Sequence, residues 1–136
     1  MEDTGGRAKP EPISAELNRV SHVVIGAAIE VHRHLGPGYL ESIYKRALVH
    51  ELQLQGLKIK QEVPLCVKYK GIEMDEQRLD VLVEPGIVVE LKAVESLLPV
   101  HKAQLMSYLK TTGCRLGLLI NFQSPVLRGN IKRIVL

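Results

Sequence analysis

The stretch from Arg78 to Lys92 constrains the fold most strongly, because two apolar runs there meet at Pro85-Gly86. Short apolar runs on either side of a proline and a glycine predict two β-strands joined by a tight turn. In the second strand Glu90 and Lys92 are two residues apart, so both side chains should point to one sheet face. An acid and an ammonium are therefore predicted to share a face within an otherwise apolar hairpin.

The length of the turn decides whether Asp80 joins that face. A two-residue loop would pair Asp80 with Leu91, and its side chain would then point away from Glu90. A three-residue loop over residues 84–86, with its glycine at positive φ, would pair Asp80 with Glu90. We predict the three-residue loop, which makes the register of the hairpin a condition for any site built on Asp80.

Helical and strand patterns surround this hairpin. Ser14 suits the N-cap of a long helix that ends at Gly36, and Gly26 in its middle predicts close packing against another element. A proline at position 64 divides the β-prone residues that follow the second helix. The predicted helices are 14–35, 39–55 and 100–111, and the predicted strands are 58–63, 65–69, the two hairpin strands, 115–122 and 131–136. This order predicts an α/β (α+β) fold, a mixed β-sheet flanked by helices.

Length and composition favour one domain. The 136 residues, 46% of them hydrophobic, suffice for a single core over residues 13–136, behind a flexible leader over residues 1–12. A net charge of +3 permits contact with phosphates but is too small for a dedicated nucleic-acid coat protein. Cys66 and Cys114 lack metal-ligand spacing. Because no stretch has the pattern of a signal peptide or a membrane span, we expect a cytoplasmic protein without membrane contact.

The acids of the hairpin suggest a metal site. Asp80 and Glu90 would bind a hard divalent cation through oxygen, and Lys92 would hold the attacking water or stabilise charge on a phosphate. Glu41 continues an apolar stripe of the second helix, an unusual position that predicts a third carboxylate near the pair. The alternative is an ordinary solvated ion pair between Asp80 and Lys92 across the strands.

Several segments resemble one family. Gly38 to Tyr44 matches Gly-x-x-Glu-x-x-Tyr, the signature of the small bacterial proteins of the GxxExxY family. Segments 25–32, 89–93, 103–109 and 117–122 match as well, so the resemblance covers about residues 14–136. It implies a compact branch of the PD-(D/E)XK nuclease-like superfamily. The implied fold is the restriction-endonuclease-like αβββαβ core, here with an extra N-terminal helix.

The resemblance also implies a role for each matching residue. Asp80 is similar to the aspartate of the motif, although Leu79 stands where the motif name has proline, and Glu90 and Lys92 are similar to the (D/E)-x-K pair. Gln104 resembles the glutamine of the Gln-x-x-x-Tyr element in RecB-like members. The implied metal ligands are Asp80, Glu90, the carbonyl group of Leu91, and Glu41. The implied catalytic residues are Asp80, Glu90, Lys92, Glu41 and Gln104.

The resulting hypothesis is a phosphodiesterase that uses Mg²⁺ or Mn²⁺ to cleave DNA, or RNA as the less favoured substrate. The alternative is a non-catalytic nucleic-acid-binding or protein-assembly module that keeps the nuclease fold. The small size leaves recognition to a homodimer or a protein partner. Tyr44 and Tyr108 are interpreted as core residues with a polar tip, and His101 as an exposed helix residue.

Overall fold

The structure, a computed structural model, describes residues 11–136. Within this range the helices are α1 Ala15–Leu35, α2 Glu41–Leu54 and α3 Pro99–Thr112, and the strands are β1 Ile59–Tyr69, β2 Ile72–Val83, β3 Ile87–Lys92, β4 Leu116–Asn121 and β5 Ile131–Val135. The side chain of Ser14 accepts a hydrogen bond from the amide of Leu17 at 3.1 Å, as expected of an N-cap. Of the predicted leader, residues 1–10 lie outside the described range. The carbonyl oxygens of residues 11 and 12 accept hydrogen bonds from Arg115.

The strands form one mixed sheet in the order β1-β2-β3-β4-β5. β3 and β4 pair in parallel, whereas the other neighbouring strands pair antiparallel. A parallel pair needs a crossover connection, and α3 supplies it. Every residue of β4 is buried, as its continuous apolar sequence predicts for a strand covered on both faces.

Helices cover both faces of the sheet. On one face α1 and α2 pack against odd-numbered residues of β3 such as Val89 and Leu91. On the other face α3 packs against Val88 through Leu105, Tyr108 and Leu109. Side chains alternate along a strand, so Glu90 and Lys92 share the face of Val88 and are directed towards α3.

Two details differ from the sequence-based expectations. β1 continues through Pro64, because it is an edge strand whose outer side needs no backbone N–H. The register between β1 and β2 shifts only later, between Leu65 and Val67. The expectation of close packing at Gly26 is wrong: this residue is exposed, and a Cβ atom placed there would meet nothing within 4 Å.

The predicted fold class is confirmed. The order α2-β1-β2-β3-α3-β4 is the expected αβββαβ core, α1 is the extra N-terminal helix, and β5 is the predicted last edge strand. Within residues 11–136, none of the helices combines the length and the apolar character that crossing a membrane requires.

Candidate active site

The turn of the hairpin sets the register that places Asp80 on the same sheet face as Glu90. Val83 pairs with Ile87, which leaves residues 84–86 as a three-residue loop, and the amide of Gly86 donates to the carbonyl of Val83 at 2.9 Å. Gly86 adopts a φ of 156°, a positive value that favours glycine. The pairing of Val81 with Val89 continues this register, so the next position sets Asp80 opposite Glu90.

Next to the last paired residues of β2 and β3, Val81 and Val89, the carboxylates of Asp80 and Glu90 accept hydrogen bonds from backbone amides of the neighbouring strand. Glu90 Oε1 accepts a hydrogen bond from the amide of Asp80 at 2.9 Å, and Asp80 Oδ2 accepts one from the amide of Leu91 at 3.2 Å. Each carboxylate therefore binds the backbone of the other's strand. This reciprocal arrangement holds the two acids together and leaves the second oxygen of each carboxylate outside these two bonds.

The environment of the acid pair raises the pKa of Glu90. Glu90 is only 4% exposed, and burial, followed by the charge of Asp80, raises its pKa to about 8. Lys92 acts in the opposite direction but does not cancel these effects. The ion pairs found within residues 11–136 lie elsewhere, so the ordinary Asp80–Lys92 ion pair is not formed. Two adjacent acids without a paired cation suit a divalent ion with oxygen ligands.

Lys92 is held by α3 instead. Its Nζ donates a hydrogen bond to Gln104 Oε1 at 3.1 Å, which joins the end of β3 to the middle of α3. One turn further, Tyr108 is 3% exposed, and burial, then the charges of Glu90 and Asp80, raises its pKa to about 12. Tyr108 is thus a core residue, as interpreted from the sequence. The negative charges of Glu90 and Asp80 also act on its hydroxyl.

Tyr44 fixes the turn that begins α2. Its hydroxyl donates to the carbonyl of Gly36 at 2.6 Å and accepts from the amide of Tyr39 at 3.1 Å. Its ring stacks on Phe122 with centroids 4.8 Å apart, so the residue is structural. The turn sets Glu41 at the first position of α2.

Glu41 lies close enough to the acid pair for their charges to interact. Burial, followed by the charge of Asp80, raises the pKa of Glu41, whereas Lys92 and Lys45 lower it. Across residues 11–136, however, no three side chains among His, Cys, Asp and Glu come together closely enough to hold a metal ion. The carboxylates of Asp80 and Glu90 turn inward onto backbone amides, and Glu41 does not complete a cluster with them. Its role as a metal ligand stays a prediction.

Three helix histidines have identifiable structural partners. His32 contacts the carbonyl of Ser124 at 2.7 Å, and His34 contacts that of Glu30 at 3.2 Å. His101 is only partly exposed, and its Nδ1 accepts from the amide of Leu98 at 2.9 Å.

Sequence reasoning did not identify Gln77, which lines a cleft beside Lys92. The register shift between β1 and β2 lies next to this residue, and no pattern in the sequence marks it.

Comparisons with known proteins agree with this architecture. A family model described as the PD-(D/E)XK nuclease superfamily matches residues 18–134. A search among curated proteins finds no match. Among solved structures, the crystal structure of SSO0001 is similar at 18% sequence identity with a TM-score of 0.41, over 84% of this chain and 74% of that chain. Because the family match spans most of the sequence, including the hairpin and α3, this chain belongs to the PD-(D/E)XK nuclease superfamily.

Proposed function

We propose that this protein is a metal-dependent phosphodiesterase that cleaves nucleic acid. The observation that carries the proposal is the reciprocal hydrogen bonding of Asp80 and Glu90, which gathers two acids beside Lys92 on the face covered by α3. Superfamily membership indicates a nuclease-like function and a divalent metal ion. The electrostatics of the pair support the same ion, because a cation would offset the burial and the repulsion from Asp80 that together raise the pKa of Glu90.

Asp80 and Glu90 would hold the metal ion, with the Leu91 carbonyl as a further oxygen ligand. The ion, Mg²⁺ or Mn²⁺, would polarise the phosphodiester and lower the pKa of a coordinated water. Lys92 orients the attacking water or stabilises the negative charge that develops on the phosphate. Gln104 holds the Lys92 ammonium in place through their 3.1 Å hydrogen bond.

Further parts of the proposal come from the electrostatics of Glu41 and from the sequence. Glu41 adds negative charge near Asp80 and would attract a second cation or an outer-shell water. The preference for DNA over RNA and membership of the GxxExxY family follow from the sequence motifs alone. Length and composition support a single domain over residues 13–136, the lack of a signal-peptide or membrane-span pattern in the sequence supports a cytoplasmic location, and the small size supports a homodimer or protein partner that supplies recognition.

A cleavage assay tests the proposal. Wild type should cleave single- or double-stranded DNA in Mg²⁺ or Mn²⁺, and a chelator should stop cleavage. Asp80→Ala should abolish activity, and Lys92→Ala should lower it by roughly a hundredfold, the effect of removing one charge-stabilising donor. The matched control is Lys102→Ala, which removes an exposed lysine of α3. Equal cleavage by all four proteins would reveal a contaminating nuclease and refute the assignment.

One observation favours a second function, that of a non-catalytic nucleic-acid-binding module. One oxygen of each acid is bonded to a backbone amide, and within the described residues no third ligand completes a metal cluster. Binding of DNA without cleavage in either metal, by a protein that remains folded, would support this second function.

A further inference from the structure

A cleft of about 400 Å³ lies between α3 and β2 and is bordered by Lys92. Its polar lining residues are Gln77, Lys92, His101, Gln104 and Ser107. None of the residues that line it carries a carboxylate, although β2 and β3 supply acids immediately next to Lys92. Lys92 therefore borders a cleft whose lining residues carry no acid.

The hydrogen bonds around the cleft determine which lining groups can donate. The hydroxyl of Ser107 already donates to the backbone carbonyl of Gln104 at 2.7 Å, so its proton is not available to a ligand. A backbone N–H can only donate, so the contact between the Leu98 amide and His101 Nδ1 at 2.9 Å makes Nδ1 the acceptor. The ring proton is therefore on Nε2, which becomes a donor at the free end of the ring. The carbonyl oxygen of the Gln104 side chain accepts from Lys92 Nζ, and the amide NH2 of the same side chain can only donate.

A wall of this composition is complementary to a phosphate. Phosphate oxygens are acceptors only, and they bind most strongly to charged or oriented N–H donors. Without a metal ion the acid pair would repel such a group, whereas Lys92 borders the cleft and follows Glu90 by two residues on the same sheet face. A nucleic-acid strand that places one phosphate at Asp80 and Glu90 would therefore bring a neighbouring phosphate of its backbone to the cleft.

We propose that this cleft binds a backbone phosphate adjacent to the scissile one, and that His101 is a binding residue that donates to it from Nε2. This inference rests on the proposed function, because it extends the path of the same strand. It gives His101 a role beyond its contact with Leu98, and it accounts for the absence of acids from the lining residues.

Two substitutions at one position separate phosphate binding from helix capping. His101 is the third residue of α3, where Glu or Gln can accept from the amide of the cap residue. His101→Glu and His101→Gln should both keep the contact with Leu98, but only the glutamate places a negative charge at the cleft. The control is His50→Glu, which makes the same charge change at an exposed position of α2.

The full-length proteins would be titrated with a labelled DNA oligonucleotide in a chelator, so that binding is measured without cleavage, and then assayed for cleavage in Mg²⁺ or Mn²⁺. His101→Glu should raise the Kd about tenfold, as expected when a donor to a charged group is lost. His101→Gln and His50→Glu should bind as wild type within a factor of about three, the ordinary spread of such measurements. Thermal unfolding should show all three variants folded.

The possible outcomes separate this inference from the nuclease proposal. If wild type cleaves DNA and His101→Glu binds as tightly as His101→Gln, the phosphate cleft is refuted while the nuclease stands. If no protein cleaves but the binding pattern holds, the cleft stands and the nuclease proposal fails. Absence of any DNA binding by wild type would refute both.

Discussion

Glu90 shows how a single buried side chain can make the stability of this protein depend on pH. Burial and the neighbouring Asp80 raise its pKa to about 8 from an ordinary value of 4.5. Between these two values the folded protein keeps a proton that the unfolded chain releases. The folded state is thus favoured at low pH, and this contribution is lost as the pH rises through about 8.

The prediction at this scale concerns Glu90→Gln in the metal-free protein. Wild type should lose stability as the pH rises from about 5 to about 8, the window set by the shifted pKa of Glu90. Glutamine keeps an acceptor for the Asp80 amide but cannot ionise, so Glu90→Gln should remove most of this slope and should not cleave DNA. Urea midpoints measured across the pH range check this. Glu84→Gln, at an exposed position of the same hairpin, should retain the wild-type slope.

At the scale of elements, the exposed surface of α1 contains a glycine, a residue that disfavours helix formation. Gly26 lies in the middle of this 21-residue helix, is exposed, and has open space where a Cβ atom would stand. Gly117 in β4 is the opposite case, since a Cβ atom there would lie 2.8 Å from Leu105 Cδ1. The glycine of β4 permits the close approach of α3 to the sheet, whereas the glycine of α1 serves no packing purpose within residues 11–136.

Gly26→Ala should therefore stabilise the protein by about 0.5–1 kcal/mol, because alanine restricts the unfolded chain and favours the helix. The contrast is Gly113→Ala, at the C-cap of α3 with a φ of 79°. A side chain is strained in that left-handed conformation, and the substitution should cost about 1–2 kcal/mol. Chemical denaturation of both variants measures these differences. A destabilising Gly26→Ala would contradict the assignment of open space around that helix.

At the scale of the whole molecule, the sequence was sufficient for the order of elements and for the hairpin register. Period-two patterns, Ser14 as a cap and the glycines at helix ends are local signals, and sheet parity links the length of the 84–86 loop to the face on which Asp80 lies. The prediction of close packing at Gly26 was wrong, because helix propensity alone does not show whether that surface of the helix is covered by another element. Two features could not be predicted from the sequence. They are the hydrogen bonds of the Asp80 and Glu90 carboxylates to backbone amides and the position of Gln77 in the lining of the cleft, and both depend on contacts between separate elements.

The metal ion should stabilise the entire fold, because the proposed ligands Asp80, Glu90 and the Leu91 carbonyl lie on β2 and β3, the hairpin strands that include the central strand of the sheet. A cation that binds only the folded protein contributes about 2.7 kcal/mol at a concentration near one hundred times its Kd. Adding Mg²⁺ or Mn²⁺ should raise the unfolding temperature of wild type at pH 8 by several degrees. Asp80→Asn should abolish this rise in the unfolding temperature. A titration with the larger ion Ca²⁺ tests whether the rise requires Mg²⁺ or Mn²⁺. An unfolding temperature that does not respond to any of these cations would contradict the metal site.

The reciprocal bonds of Asp80 and Glu90 also turn two backbone amides into reporters of the site. The amide protons of Asp80 and Leu91 are bound to carboxylate oxygens, whereas neighbouring residues such as Val88 and Val89 lie in the regular ladders of the sheet. Any event that draws charge away from those oxygens, whether protonation or metal binding, should move the two amide resonances first. In a magnesium titration followed by nuclear magnetic resonance, these amides should shift together at one apparent Kd, so the occupancy of the site can be read without a substrate.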